Sequence, residues 1–440
     1  MKMWSNIVTL LLLGYLCMGR SFAYLGIPSL HLFVGEAVLG LFLVFFMVSY
    51  RATALRNAMN DSRLKPLRKI FMIFLAFGAF QVFRGIFSGN PPLLALRDLA
   101  LNYYPIYFAL GLWVGLLDPE YLSRFFRLAA WANGIYGLLY IVLLSRVAWS
   151  FPGFSDDSTP VPIFGQPSYS ALILLGLLSF QKDLRRVLPL LLLNTAVLLG
   201  MLIRAEWVAL VIGILIWAWF TKNLKRVALA AAMVPLLLVL MYVTNFSIPA
   251  PETRGGTVSA TEIAARVLAP INADFADQYG SDNSDLNMYE GTTAWRTTYW
   301  LLIWTTVHEN MERTLLGYGY GYPLNDLLPD LFGNTRTPHD VFFYVLAYTG
   351  WVGVAIFALL QLQLVRVLRS VCRLRDEPFG IVFWGALLMF ALFTPFFETP
   401  QGAIPFYLLA GCVCASLFRA RNKRSVPANP KLILAPSEGV

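Results

Sequence analysis

Long apolar segments recur through the whole chain and constrain its fold more than any other feature. Most approach the ~20 apolar residues that a helix needs to cross a bilayer. They do not alternate between apolar and polar residues, as the strands of a membrane β-barrel would. The sequence therefore predicts an all-α polytopic membrane protein with about 12 transmembrane helices. The twelve predicted segments are approximately 4–19, 30–50, 70–87, 99–117, 128–147, 167–180, 187–203, 206–220, 227–246, 341–365, 379–397 and 403–418.

The distribution of charge supports this number of spans. With the N-terminus in the cytoplasm, 24 Lys and Arg residues fall on the inner side with 7 acidic residues, whereas the outer side holds 10 arginines and 17 acidic residues. Cytoplasmic loops of membrane proteins are enriched in Lys and Arg. We therefore predict that both termini are cytoplasmic. The net charge of +9 then reflects topology, and we expect membrane lipids as partners and no nucleic acid.

One connection is much longer than the others. Residues 247–340, between the ninth and tenth spans, form an outer segment of about 94 residues. Trp295, Tyr299 and Trp304 recur there at helical spacing, which predicts that part of the segment is helical. We divide the chain into four parts: transmembrane helices 1–9 (1–246), the large outer segment (247–340), transmembrane helices 10–12 (341–418) and a basic, disordered cytoplasmic tail (419–440).

A histidine stands where the outer segment meets the tenth span, in the sequence TPHDVFFYVLAYTGWVG. On an ideal helix Gly350 would return to within about 20° of the face of His339, and Gly353 to within about 40°. Small residues allow a neighbouring membrane helix to approach closely. The pattern predicts an imidazole at the outer rim of a tightly packed helix pair, with Asp340 as the helix N-cap. The alternative is that His339 only lies at a helix end in the membrane interface.

Three outer arginines are candidate phosphate ligands: Arg204, which opens a span, and Arg266 and Arg296 in the outer segment. The planar guanidinium fork suits bidentate binding of phosphate. A local ion pair is the alternative for each of them, and the pairs would be Arg204 with Glu206, Arg266 with Glu262 and Arg296 with Glu290.

Arg84 is a further possible site residue, because a charge within or near the end of a span is a functional hypothesis by default. The sequence contains no P-loop, no Rossmann glycine pattern, no HExxH and no acid cluster with metal-ligand spacing. We therefore expect neither a cofactor nor a metal.

Together these features resemble the O-antigen ligase and polysaccharide polymerase family. The resemblance rests first on His339-Asp340, nine further residues, and then Gly350-Trp-Val-Gly353. It also rests on Arg204 at the start of a span, on Arg266 and the sequence WRTTYW around Arg296, and on LLGYGYGYP before the histidine. These elements cover roughly 200–365.

The resemblance implies a GT-C-like helical bundle in the bacterial inner membrane with a periplasmic active site. The donor would be a glycan linked to undecaprenyl pyrophosphate, and the acceptor another glycan or the lipid A core. Arg204 and one or both of Arg266 and Arg296 would hold the pyrophosphate, and His339 would be the general base of a metal-independent, inverting glycosyl transfer.

Asp340 departs from the family pattern, which usually has Asn, Ser or Gln at this position. A carboxylate beside the imidazole would raise the pKa of His339 and favour a role as hydrogen-bond donor to phosphate instead of base. Two further alternatives stay open. The reaction is either polymerisation or ligation, and a chain with this many spans is also compatible with a polytopic transporter or a lipid-linked oligosaccharide flippase.

Overall fold

The computed structural model describes residues 2–27, 32–49, 53–151, 161–181, 183–221, 224–252, 254–268, 286–327 and 336–418. Most of these residues are helical, as predicted. The described helices, in chain order, are α1 (Lys2–Ala23), α2 (Val34–Val48), α3 (Thr53–Asn60), α4 (Lys65–Phe87), α5 (Pro92–Asp98), α6 (Ala100–Tyr103), α7 (Tyr107–Leu117), α8 (Tyr121–Val142), α9 (Ser170–Phe180), α10 (Leu184–Gly200), α11 (Arg204–Phe220), α12 (Leu224–Val243), α13 (Ala260–Leu268), α14 (Leu286–Val307), α15 (Met311–Leu316), α16 (Val341–Arg375), α17 (Phe379–Ala391) and α18 (Pro400–Cys414).

Short antiparallel strand pairs connect some of these helices. In the described part of the chain they are β1 (Gly26–Ile27) with β2 (Leu32–Phe33), β3 (Ser150–Phe151) with β4 (Val161–Pro162), and β5 (Ser247–Pro249) with β6 (Thr257–Ser259). Each strand has two or three residues, so the strands shape connections and do not add a sheet layer to the helical fold.

Each of the twelve predicted apolar segments contains a helix, but the helices differ in length. Six of those described are long and apolar enough to cross a membrane: they lie within Met3–Ala23, Lys65–Phe87, Pro92–Leu117, Tyr121–Val142, Val341–Arg375 and Pro400–Phe418. A seventh candidate combines α2 and α3, which are bent by 94° relative to each other. The protein is therefore a helical membrane protein, and the number of twelve spans remains a prediction.

Glycine allows the two most intimately packed helices, α7 and α18, to touch through their backbones. A Cβ added to Gly111 would lie 2.0 Å from the carbonyl oxygen of Leu408, and one added to Gly411 would lie 2.1 Å from the oxygen of Phe108. Only residues without a side chain permit such an approach.

The outer segment is partly helical, as the sequence predicts. Its first described helix is α13, and the aromatic run forms α14, in which Tyr299 and Ile303 are fully buried. Residues 269–285 of the outer segment and the basic tail after residue 418 lie outside the described residues.

Helix α16 does not have the continuous geometry that the helical-wheel prediction assumed. Gly350 has φ +61° and ψ −167°, which breaks α16, and His339 lies before its first turn with φ +54°. The two residues therefore do not share one helical stripe, and this part of the prediction is wrong. The close approach at Gly350 is nevertheless present, because an added Cβ would lie 2.4 Å from the carbonyl carbon of Leu315 at the end of α15.

The break in α16 exposes backbone carbonyls that bind the glycine–tyrosine turn, which is the sequence GYGYGYP at 317–323 after α15. The amide of Tyr318 donates to the carbonyl of Ala347 at 2.8 Å, and the amide of Gly319 donates to Tyr348 at 3.0 Å. Because Gly350 interrupts the helix, these two carbonyls are available to accept bonds from outside it. The turn thereby ties the outer segment to the helix that begins after His339.

Candidate active site

Aromatic residues of α14 hold the backbone just before His339. The indole Nε1 of Trp300 donates to the carbonyl of Pro338 at 2.8 Å, and the Tyr299 hydroxyl donates to the carbonyl of Arg336 at 3.2 Å. The Trp300 ring also stacks on Phe343 in the first turn of α16, with centroids 5.3 Å apart. The sequence WRTTYW thus positions the segment that leads into α16.

His339 itself has a left-handed backbone, with φ +54°. A residue with a branched or bulky side chain pays about 1–3 kcal/mol for such a conformation, and residues of this kind concentrate at functional sites. The imidazole packs edge-on against the Trp295 ring, with centroids 5.3 Å apart and an interplanar angle of 83°. Contacts from α14 therefore hold a strained histidine in one orientation.

Two arginines act on this imidazole with their positive charge, and a third acts on one of the two. The charges of Arg296 and Arg20 both act on His339, and the charge of Arg204 acts on Arg296. Arg20 lies in the last turn of α1, Arg204 begins α11, and Arg296 belongs to α14. The structure thus brings together His339, Arg204 and Arg296, which sequence reasoning singled out, and adds Arg20.

Two of these cations have no anionic partner in the described part of the protein. Arg296 forms neither an ion pair nor a hydrogen bond there, its Nε is buried, and its guanidinium lies 5.7 Å from the Trp295 ring centroid. Arg20 is exposed and contacts only the Tyr24 ring, at 5.5 Å. Burial, followed by repulsion from Arg204, lowers the pKa of Arg296. Such an arrangement attracts an anion with several oxygens.

The same environment keeps the imidazole neutral. Burial first, and then the positive charges of Arg296 and Arg20, lower the pKa of His339 to about 4. Asp340 does not raise this pKa, because its carboxylate is turned to the helix and accepts a hydrogen bond from the amide of Phe343 at 2.9 Å. Asp340 is the N-cap of α16, as predicted.

A second carboxyl group lies near Asp340. Burial raises the pKa of Glu398, in the loop before α18, to about 7, and the charge of Asp340 contributes to this rise. Burial likewise raises the pKa of Asp340 to about 6. One oxygen of Glu398 accepts from the amide of Phe396 at 3.1 Å, whereas the other is buried without a partner in the described residues.

Sequence reasoning missed Arg20 and Glu398 for different reasons. Arg20 had a usable signal, since it is one of the few basic residues predicted on the outer side. Its position depends on a break in α1 at Gly19, where φ is +49° and ψ is −121°. Glu398 is an acid in a short loop, and nothing in its sequence neighbourhood distinguishes it.

Arg266 is not grouped with these cations. Its Nε donates to Glu262 at 2.7 Å and its Nη2 to the carbonyls of Arg254 and Gly255, each at 3.1 Å. Both members of the ion pair are about 95 % buried, since 5 % of Arg266 and 4 % of Glu262 are exposed. The structure therefore realises the local ion pair, which fixes α13 to the preceding loop.

The side chain of Arg84 binds backbone carbonyls of the outer segment. Its Nη2 donates to the carbonyls of Leu316 and Gly317 at 2.5 and 2.7 Å, and its Nε donates to Gln81 at 3.0 Å. These carbonyls end α15 and begin the glycine–tyrosine turn. We therefore interpret Arg84 as a residue that holds this turn and not as a ligand of the anion.

Arg336, three residues before His339, is bound in a similar structural role. It makes two hydrogen bonds to Asp98, at 3.1 and 2.7 Å, and Asp98 also accepts from the Gly321 amide and the Tyr344 hydroxyl. This buried cluster connects α5 with the segment that carries His339. Among the described residues, no group of three or more His, Cys, Asp or Glu side chains has the arrangement of a metal site.

The fold and this site define a helical membrane protein with a cluster of arginines near a neutral histidine. Residues 187–358 match the model of the O-antigen ligase family. This match confirms the resemblance found in the sequence, and the matched region contains Arg204, Arg296 and His339. A match to this family implies a glycosyl-transfer enzyme that acts on lipid-linked glycans. No curated protein matches the chain.

Proposed function

We propose that this protein transfers a glycan from undecaprenyl pyrophosphate to an acceptor hydroxyl on the periplasmic face of the inner membrane. The observation that carries the proposal is the pair of guanidinium groups, Arg20 and Arg296, which lack a carboxylate partner in the described residues and flank a neutral imidazole. The family match over 187–358 supports glycosyl transfer over transport.

The arginines bind the pyrophosphate of the donor. The charge of Arg204 repels that of Arg296, and the charges of Arg296 and Arg20 both act on His339. A pyrophosphate relieves this repulsion, and its bonds to guanidinium groups strengthen as negative charge develops on the leaving oxygen. The lipid pyrophosphate is already an activated leaving group. The arginines therefore need only stabilise the negative charge that develops on it.

His339 removes the proton of the acceptor. As the hydroxyl oxygen attacks the anomeric carbon, its proton passes to the imidazole and the bond between that carbon and the pyrophosphate oxygen breaks, which inverts the configuration. The imidazole has a lone pair to accept this proton because burial and the arginines keep it neutral. The bound pyrophosphate raises the basicity of His339 by neutralising those arginines, which couples donor binding to base strength.

The arginines provide the test of the proposal. Purified Arg296→Gln and Arg20→Gln variants should each lower kcat/KM for a lipid-pyrophosphate-linked glycan by roughly 10- to 100-fold, since a hydrogen bond to a charged group contributes about 1.5–3 kcal/mol. Transfer of radiolabelled glycan measures this change, and offering a second glycan or lipid A core as acceptor distinguishes polymerisation from ligation.

Arg313→Gln is the matched control. Arg313 is an arginine of the same outer segment, but it forms an exposed ion pair with Glu309 at 2.7 Å. Its replacement should leave kcat/KM within about twofold, because exposed ion pairs contribute little. Unchanged transfer by both the Arg296 and the Arg20 variants would contradict the proposed pyrophosphate site.

A further inference from the structure

A groove at the other end of the bundle is independent of the candidate active site. Its cavity measures about 360 Å³ and lies between α2, α3, α4 and the start of α7. Phe42, Leu75 and Ile106 belong to its apolar wall, and Arg56, Asn60 and Arg68 stand at its polar end. The groove thus combines an apolar wall with a cationic mouth.

The two arginines at the mouth have no acidic partner in the described residues. Arg56 donates to the carbonyls of Phe46 and Met47 at 2.7 and 3.3 Å, and Arg68 donates to the Asn60 side chain. These are neutral acceptors, so both positive charges remain uncompensated. An anionic head group would complement them, and an apolar chain would fill the groove behind it.

We expect this mouth to lie at a membrane surface. Helix α3 is bent by 94° from α2 and buries Leu55 and Ala58 while its other face stays exposed. A short amphipathic helix at such a bend is typical of a helix that lies in the lipid interface. The basic residues of 51–69 predict that this surface is cytoplasmic.

The groove is far from His339. Arg68 and Arg84 lie on the same helix, 16 residues apart, which corresponds to about 24 Å along its axis. Arg84 contacts the glycine–tyrosine turn at the opposite end, where the outer segment meets α16. A ligand in the groove is therefore separate from a donor at the candidate active site.

We propose that this groove binds one anionic phospholipid of the cytoplasmic leaflet, with its head group at Arg56 and Arg68 and an acyl chain along Phe42, Leu75 and Ile106. The lipid fills the space between α2 and α4 and fixes the bent α2–α3 pair against the bundle. This site is additional to the glycan-transfer site and does not depend on it.

Native mass spectrometry of the full-length protein from nanodiscs tests the proposal. In discs with equal amounts of phosphatidylglycerol and phosphatidylcholine, the wild-type protein should retain one phosphatidylglycerol preferentially. Arg56→Gln combined with Arg68→Gln should reduce that preference about 30-fold. Leu75→Trp should reduce retention of the lipid without any change in charge, because the indole occupies the groove.

Arg366→Gln combined with Arg369→Gln is the control, since it removes two exposed charges from the same predicted side of the membrane. This variant should retain phosphatidylglycerol as the wild-type protein does. An equal loss in the control, equal retention of the two phospholipids by the wild-type protein, or full displacement of phosphatidylglycerol by a polyprenyl phosphate would overturn the proposal.

Discussion

At the scale of the residue, the surroundings of His339 include two energetically unfavourable features. His339 has a left-handed backbone, and its imidazole lies beside positive charges that oppose its protonation. Both conditions persist because Trp295 and Trp300 and the cap of α16 hold the segment in place. Strain and repulsion of this kind prepare a site for a substrate that relieves them.

Asp340 allows a pH test at this scale. Its folded-state pKa of about 6 is raised from the ordinary value of an aspartate. Between that ordinary value and pH 6 the folded state binds more protons than the unfolded state, so Asp340 lowers the free energy of unfolding as the pH rises through this window. Asp340→Asn should remove this loss, because asparagine is an equally good N-cap.

Thermal unfolding in detergent at pH 4 and pH 7.5 measures the effect. At each pH the quantity of interest is the Tm of Asp340→Asn minus the Tm of the wild-type protein. This difference should be more positive at pH 7.5 than at pH 4. The lowered pKa of His339 has the opposite effect on the free energy of unfolding. Its stabilising contribution is present above the ordinary histidine pKa, and this contribution is lost as the pH falls towards 4. The variant must therefore be compared with the wild-type protein at each pH, and an identical pH dependence for both would contradict the raised pKa.

At the scale of the element, sequence periodicity predicted helices well but not their interruptions. A helical wheel assumes continuous geometry, whereas Gly19 and Gly350 have left-handed φ values that break α1 and α16. The sequence shows which glycines lie in apolar segments, but a break depends on the neighbour that packs against it. For Gly350 this neighbour is the end of α15, which is distant in the sequence.

Gly350→Ala should therefore destabilise the protein strongly. The alanine Cβ would collide with Leu315 at 2.4 Å, and φ +61° is unfavourable for any residue with a side chain. We expect a loss of about 1–3 kcal/mol or more, seen as a lower Tm and lower abundance in the membrane.

Gly40→Ala in α2 is the matched control. No atom lies within 4 Å of an added Cβ at Gly40, and its φ is not left-handed. Because alanine is the better helix former, this change should be neutral or stabilise by up to about 1 kcal/mol. Similar Tm values for the two variants would show that Gly350 does not form the break.

At the scale of the whole molecule, the helical membrane class could be predicted from apolar segment length alone. The grouping of Arg204, Arg296 and His339 came from a family resemblance, because no periodicity connects residues on α11, α14 and the start of α16. The local pairing of Arg266 with Glu262 was visible as an i, i+4 spacing, but its complete burial was not. Burial depends on tertiary packing, which a single sequence does not report.

The predicted topology can be tested by cysteine labelling. The four native cysteines are all buried, so they give a low background. Asp326→Cys, exposed in the outer segment, should react with a membrane-impermeant maleimide in spheroplasts. Glu120→Cys, exposed in a predicted cytoplasmic loop, should react only after the membrane is opened. The reverse pattern would contradict the predicted sidedness.

The most direct test of the central claim is single-turnover glycan transfer by purified His339→Asn, compared with His308→Asn. Asparagine tolerates the left-handed backbone of residue 339 but cannot accept the acceptor proton. His308 is a matched histidine, since it also lies among tryptophans and accepts from Trp351 Nε1 at 3.1 Å. His339→Asn should bind the donor within a few-fold of wild type yet transfer about 10²- to 10⁴-fold more slowly, whereas His308→Asn should transfer normally. Transfer by His339→Asn at close to the wild-type rate would contradict the role of His339 as base.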